Sequence, residues 1–365
     1  MEREPQRWID AGVPETRADV CQVQSTRETT SLLFGRALPP GPDGEPRALL
    51  DRRVMLTPAL AKQLAAGLAG VLRDHDARRL LENATPAGSI RSAPTDEDAP
   101  AAARPLLQAV RALGIGFGFE KSFKMSAAGI LEERVILGVR ASLADPQALL
   151  GICRAMGMPS EYETLFAQAL PEANTVGFGY EGDGRGGGMH KAYLEFWDRL
   201  VQRVQGEPGN AAPDELFLGF KWDGADPSRR ALARYTCHPL LPVEGIARRL
   251  EALYPAGGVS PSLQAAREIL ALAARRVAGD SFVYVEAAEE GNPRRSFDLN
   301  FYKARLPLAE LMPALQALCG RYGAGREALE RIAAQAGARP FGHLSGGLGR
   351  DGQDFLTVYY ELEAL

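Results

Sequence analysis

The 365-residue sequence predicts an α+β protein whose larger part is a ten-stranded antiparallel β-barrel ringed by helices. Three observations lead there. Alternating runs come in pairs joined by turn-forming residues, and this happens five times. Helical patterns flank most of the pairs, so the repeating unit reads α-β-β-α. Ten antiparallel strands in consecutive hairpins hide their edges best by closing on themselves.

The first of the expected hairpins is Ile115–Arg140, preceded by a helix at Ala101–Leu113 and followed by one at Asp145–Met156. The second, Thr175–Trp197, turns through Glu181–Gly188, with helices at Glu161–Leu170 and Asp198–Val204. The third, Leu216–Cys237, turns at Asp223–Pro227 and runs into a helix at Val243–Tyr254. The fourth, Phe282–Tyr302, turns at Glu289–Pro293 after a helix at Ser262–Val277, and the apolar spacing of Leu308, Leu311, Leu315 and Leu318 marks the helix that follows. The fifth, Phe341–Leu362, follows a helix at Arg326–Ala336 and turns at Gly346–Gly352.

Ahead of this body stands a smaller β-β-(β)-α pattern. Strands are expected at Val20–Gln24, Ser31–Gly35 and Arg53–Leu56. Thr57-Pro58 then supplies an N-cap and a proline at the first helical position, and Leu60, Leu64, Leu68, Val71 and Leu72 share one helix face. Residues 83–103, rich in Pro, Ala and acidic side chains and lacking periodicity, read as a linker. The expected division is therefore a module at 1–82, a linker at 83–103 and a barrel at 104–365.

Apolar residues at 45% and charged residues at 24% match a soluble globular chain, and the net charge of −4 argues against a nucleic-acid-binding protein. With no secretory h-region and no long apolar run, a cytoplasmic location away from membranes is expected. Cys21, Cys153, Cys237 and Cys319 are scattered and read as buried thiols, and the four histidines lack metal-ligand spacing. The glycine-rich runs Gly182–Gly188 and Gly346–Gly352 read as hairpin turns, because neither has the G-x-x-x-x-G-K-[ST] pattern nor a helix start after it.

Leu32-Leu33-Phe34-Gly35, Val54-Met55-Leu56 running into Thr57-Pro58, and Ala61-Lys62 before the leucine-rich helix resemble a small bacterial domain of unknown function. A protein partner for this module is left open. The five units, with Ser296–Ala304 and the aromatic last strand Phe355–Leu365, resemble the aromatic prenyltransferases of the ABBA-barrel type, with a weaker echo of the peptide prenyltransferases in His190–Phe196. That resemblance implies transfer of a prenyl group from an allylic diphosphate to an aromatic small molecule or peptide side chain inside the barrel. It implies no tightly bound cofactor and leaves Mg²⁺ accompanying the diphosphate open.

In a barrel of this kind one face of each strand packs on helices and the other lines the cavity. On the second strand of each hairpin, Val135/Leu137/Val139, Ala192/Leu194/Phe196, Ala233/Tyr235/Cys237, Phe297/Leu299/Phe301 and Leu356/Val358/Tyr360 form the expected helix-facing sets. The complementary sets supply the candidate site. Arg134, Arg140, Lys191, Lys221 and Arg234 are candidates to hold diphosphate, since guanidinium and ammonium groups match phosphate oxygens. Tyr193, Tyr302 and Tyr359 are candidates to wall an allylic cation, and Glu195, Asp298 or Glu361 to orient the acceptor or take its proton. Lys121 and Lys124 read as cover for a hairpin tip, and His190 as structural. The competing expectation is a non-catalytic barrel that binds a peptide or small molecule, and the two part on whether the cations converge.

Overall fold

The computed structural model describes residues 17–363, apart from 27–28, 42–44, 66–67, 69–93, 186, 207–211, 227, 256–259 and 278–281; at 361–363 it describes backbone alone. The chain divides into two units, residues 1–72 and 73–365.

In the first unit, β1 (Val20–Ser25), β2 (Thr30–Leu38) and β3 (Arg47–Leu56) form an antiparallel sheet in that order. β3 starts at Arg47, well before the expected Arg53, because it pairs along the whole of β2. Residues 58–65 are helical, and Thr57 Oγ1 accepts the Leu60 N–H at 3.3 Å, so the threonine caps the helix. Val71 and Leu72 of the expected leucine face lie outside the described residues. Cys21 is exposed on β1, contrary to the expected burial, because every residue of that strand after Val20 is exposed.

The second unit is the barrel. Its strands are β4 (Gly118–Ser126), β5 (Gly129–Leu131), β6 (Arg134–Arg140), β7 (Thr175–Gly182), β8 (Gly188–Glu195), β9 (Asp214–Asp223), β10 (Arg230–His238), β11 (Val283–Glu289), β12 (Arg295–Asn300), β13 (Phe341–Leu348) and β14 (Asp354–Glu363). Apart from short β5, each pairs antiparallel with its neighbours in chain order, β6 following β4, and β14 returns to β4 with Phe355 opposite Ser126 and Tyr360 opposite Lys121. Ten strands thus close a ring. Short β5 pairs with Lys124–Ser126 at the hairpin end of β4, while β6 pairs with Gly118–Lys121.

Helices at 104–111, 146–155, 160–169, 197–206, 243–252, 261–274, 312–322 and 326–336 supply the apolar cover for the outer strand faces. Their starts follow local chemistry: the Asp145 carboxylate accepts the Gln147 N–H at 2.9 Å, with Pro146 at the first position. Phe297, Leu299 and Phe301 are fully buried in one cluster with Ile269, Leu315 and Leu318. Each such side chain contributes about 1.5–3 kcal/mol by leaving water. A second cluster joins Leu137, Val139, Ala192 and Leu194 to Leu107, Leu149 and Phe166. Residues 83–93 of the expected linker lie outside the described residues; within 94–103, Ala99 and Ala103 are buried against this second cluster.

Because chain order alternates strand up, strand down, all five hairpin turns lie at one end of the barrel and the helix connections at the other. Gly291 makes the β11–β12 turn at φ +73, a conformation that favours glycine. Among the described residues, no helix is long and apolar enough to cross a membrane.

Candidate active site

The strand faces turned away from the helices enclose a cavity of about 630 Å³. Its lining follows one parity around the ring. Lys124, Arg134, Glu181, Lys191, Lys221 and Arg294 line it near the hairpin end, and Glu120, Glu195, Phe217, Tyr302 and His343 line it near the helix end. Glycine makes the room between: Gly177 and Gly219 stand directly opposite Tyr193 on its two neighbouring strands. A Cβ on Gly219 would come within 2.9 Å of the Tyr235 ring and 3.1 Å of the Tyr193 ring.

At the hairpin end five cations of the lumen, joined at the rim by Arg350, converge on two carboxylates. Glu181 pairs with Arg134 and Lys191, with Lys124 Nζ at 3.9 Å. Glu289 accepts from Lys221 at 2.6 Å, Arg294 at 2.8 Å and, from the rim, Arg350 at 2.5 Å. Desolvation favours the neutral carboxyl, but the neighbouring cations overcome it and hold both glutamates below their ordinary range. The cations have less compensation. Burial brings Lys191 down to about 8 despite Glu181, and burial together with Arg294 holds Lys221 well below its ordinary 10.5. Burial also lowers Lys124. A desolvated group of positive charges short of counter-charge is a prepared anion site.

Aromatic rings occupy the middle. Tyr193 and Tyr235 meet edge to face at 5.9 Å, and Tyr359 stacks on His343 with centroids 3.8 Å apart. Burial raises Tyr193 well above its ordinary value and Tyr235 to about 12, so both stay neutral phenols.

Nearer the helix end, His343 is held between two carboxylates. Its Nδ1 lies 2.8 Å from Asp298 and its Nε2 3.3 Å from Glu120, which also accepts from the Tyr302 hydroxyl. Burial disfavours the imidazolium, but Asp298 and Glu120 outweigh it and raise His343 well above 6.5, so the ring is cationic at neutral pH. Glu195 differs from these acids. Burial raises it to about 7, against hydrogen bonds from Thr175 and Trp197.

The structure brings Arg134, Lys191, Lys221, Tyr193, Tyr302, Tyr359, Glu195 and Asp298 to the lumen, together with Arg140 at the helix-end rim. Arg234 must be corrected. It points outside, 54% exposed, and bridges Glu215 at 2.7 Å and Glu290 at 3.3 Å, while Tyr235 takes the inward place. The parity of β10 is fixed by its partners: Ala231, Ala233 and Tyr235 stand opposite Lys221, Gly219 and Phe217, all on the lumen face. Counting Tyr235 among the helix-facing apolar residues inverted that strand. Lys124 is a second correction: it faces the cavity two residues inside the end of β4, while Lys121 faces outward and pairs with Asp98. The Glu361 side chain lies outside the described residues.

Sequence reasoning missed Arg294, Glu289, Glu181, Glu120, Tyr235 and His343. The alternation of first strands would have found several: Glu120, Ser122 and Lys124 alternate with Phe119, Phe123 and Met125, which are buried on the helix side. Arg294 precedes the first residue of β12, so no strand pattern flags it.

Fold and site together define a closed αββα barrel with a charged, aromatic lumen. No protein-family model matches the chain, and no curated protein matches it. Among solved structures it is similar to the 6-dimethylallyltryptophan synthase from Micromonospora olivasterospora in complex with DMASPP and Trp, at 16% identity over 80% of this chain and 97% of that one, TM-score 0.47. It is also similar to the prenyltransferase PriB in ternary complex with L-tryptophan and dimethylallyl thiolodiphosphate, at 16% identity over 80% and 96%, TM-score 0.48. AnaPT from Neosartorya fischeri follows at 13% identity over 67% and 78%, TM-score 0.41. These structural neighbours are aromatic prenyltransferases.

Proposed function

We propose that the barrel transfers a prenyl group from an allylic diphosphate to an aromatic ring held in its lumen. The observation that carries this reading is the surplus of buried positive charge at the hairpin end, five cations on two carboxylates, directly beside tyrosine rings. A diphosphate supplies the missing negative charge, and the two guanidinium groups of Arg134 and Arg294 can each take two of its oxygens. The same ligand would return Lys191 and Lys221 toward their ordinary basicity.

In the reaction the allylic C1–O bond breaks and its electron pair leaves with diphosphate. The faces of Tyr193, Tyr235 and Tyr359 stabilise the allylic cation by about 0.5–2 kcal/mol per contact, while keeping water from it. A π pair of the acceptor ring forms the new C–C bond, and a base then takes the ring proton. Asp298 and Glu120 are both held by cationic His343, which leaves Glu195 as the carboxylate to orient the acceptor or receive that proton.

Among the described residues, no group of three or more His, Cys, Asp or Glu side chains is placed to hold a metal ion. The side chains around the diphosphate position are mostly basic, so they themselves neutralise the donor, and no step of the transfer is routed through Mg²⁺. Isothermal calorimetry with dimethylallyl diphosphate, with and without Mg²⁺, tests the reading. Metal-independent binding is expected, and absence of binding under both conditions overturns it.

A further inference from the structure

We infer that the N-terminal unit joins two copies of this chain, β1 of one pairing antiparallel with β1 of the other and Val23 standing on the two-fold axis. The inference is independent of the reaction proposed for the barrel.

Apolar surface in this unit is left uncovered. Of the eleven exposed large apolar side chains among the described residues, nine lie in residues 1–72, where Leu56 alone of the described apolar side chains is buried. So little burial does not offset the chain entropy of a small unit, which therefore needs a second surface. Register shows how that surface is laid out. Val23 stands opposite Leu32 and Leu32 opposite Val54, one apolar row across all three strands, with Val23 62% and Val54 42% exposed.

The sheet order leaves β1 and β3 as its two edges, and only one is defended. β3 carries Arg47, Asp51, Arg52 and Arg53. It is also bulged at Asp51, since Phe34 stands opposite Arg52 and Gly35 opposite Leu50. Charges and bulges both deter the addition of a further strand. β1 reads Val-Cys-Gln-Val-Gln-Ser, with no charge, no proline and no bulge against β2, and every residue after Val20 is exposed. Such an edge is a template for another strand.

The strand that fits it is its own copy. In an antiparallel pair related by a two-fold axis, directly opposite residues share a face. With Val23 on the axis it meets the partner's Val23, Gln22 meets the partner's Gln24 and Cys21 meets the partner's Ser25: apolar on apolar, amide on amide, small on small. The row of Val54, Leu32 and Val23 then continues unbroken into the second copy, across six strands. The next registers on either side set Val23 against Cys21 or Ser25 and break the row. The contact is isologous, so it closes at two chains.

Size-exclusion chromatography with light scattering, run on the full-length protein over a dilution series, is expected to give twice the chain mass. Val23→Glu sets two carboxylates face to face on the axis and is expected to weaken association by about 100-fold, with the cooperativity of urea unfolding unchanged. In a Cys21→Ser background, Val23→Cys is expected to form an interchain disulfide on oxidation, because directly opposite Cα atoms lie about 4.5–5.5 Å apart, within disulfide reach. Gln22→Cys in the same background is expected not to, since its mate is displaced by two residues and lies beyond about 7 Å. A dimer that survives Val23→Glu, or a cross-link at Gln22→Cys in place of Val23→Cys, overturns the inference. So does a monomeric parent, whatever other polypeptide its β1 edge captures. If Val23→Glu fails to fold, the two cysteine variants decide the matter, since neither adds charge to the strand.

Discussion

Lys191→Met should raise the stability of the ligand-free barrel while weakening its hold on diphosphate. Holding a lysine at about 8 instead of its ordinary 10.5 costs the folded protein about 3 kcal/mol at pH 7. The side chain is only 10% exposed, so solvent screens little of this, and methionine keeps its length without the charge. A stability gain of about 1–3 kcal/mol is expected at pH 7, because Glu181 keeps Arg134 and Lys124 after the substitution. The sign with pH is fixed by the direction of the shift. A base with a depressed folded pKa binds fewer protons when folded, so its cost is full below about 8, shrinks as pH rises and is gone above 10.5. The gain of the variant must fade over the same window. Diphosphate binding should fall by about 10- to 150-fold, the value of a hydrogen bond to a charged group. Urea unfolding followed by the fluorescence of buried Trp197 and Trp222, at pH 7 and pH 10, measures the first, and calorimetry with dimethylallyl diphosphate the second. A variant that is less stable than the parent and binds diphosphate equally well would refute the reading of this cluster as an undercompensated anion site.

Arg234→Ala should leave diphosphate affinity within twofold in the same calorimetry, and an exposed ion pair of this kind is worth at most about 1 kcal/mol to stability. Gly219→Ala should lower acceptor binding and transfer rate, because its Cβ displaces Tyr193 and Tyr235, with an overpacking cost of about 1–3 kcal/mol readable in urea. His343→Asn should destabilise by about 3–5 kcal/mol at pH 7, since it strands Asp298 and Glu120 together. Part of that loss should return as acid protonates the stranded pair; a deficit that does not change with pH would show that the charge of His343 is not what holds them.

The barrel was legible because its evidence is repetitive. A strand lost or gained in one hairpin leaves four others with the same alternation, and every expected helix of the barrel has a counterpart in the structure. Parity also located most of the cavity residues, since a single apolar triplet such as Phe297, Leu299 and Phe301 fixes Asp298 and Asn300 on the opposite face. It failed on β10, where both faces are partly apolar and Tyr235 suits either environment, and only the register with Gly219 and Phe217 decides. The Glu120–His343–Asp298 group was illegible for another reason: its members come from β4, β13 and β12, strands joined by a ring closure that no local pattern encodes.

That closure also governs how the protein is made. β4 emerges early from the ribosome with one edge unpaired, and the strand that covers it, Asp354–Glu363, is the last of the barrel to be synthesised. Bringing two such distant segments together costs roughly 5 kcal/mol of chain entropy, so it should come late in folding. Until then the nascent barrel carries two exposed strand edges, templates for pairing with another chain. Truncation before Asp354 should therefore produce aggregation rather than a weakened barrel, and a separately supplied peptide of the last strand should act as its folding partner.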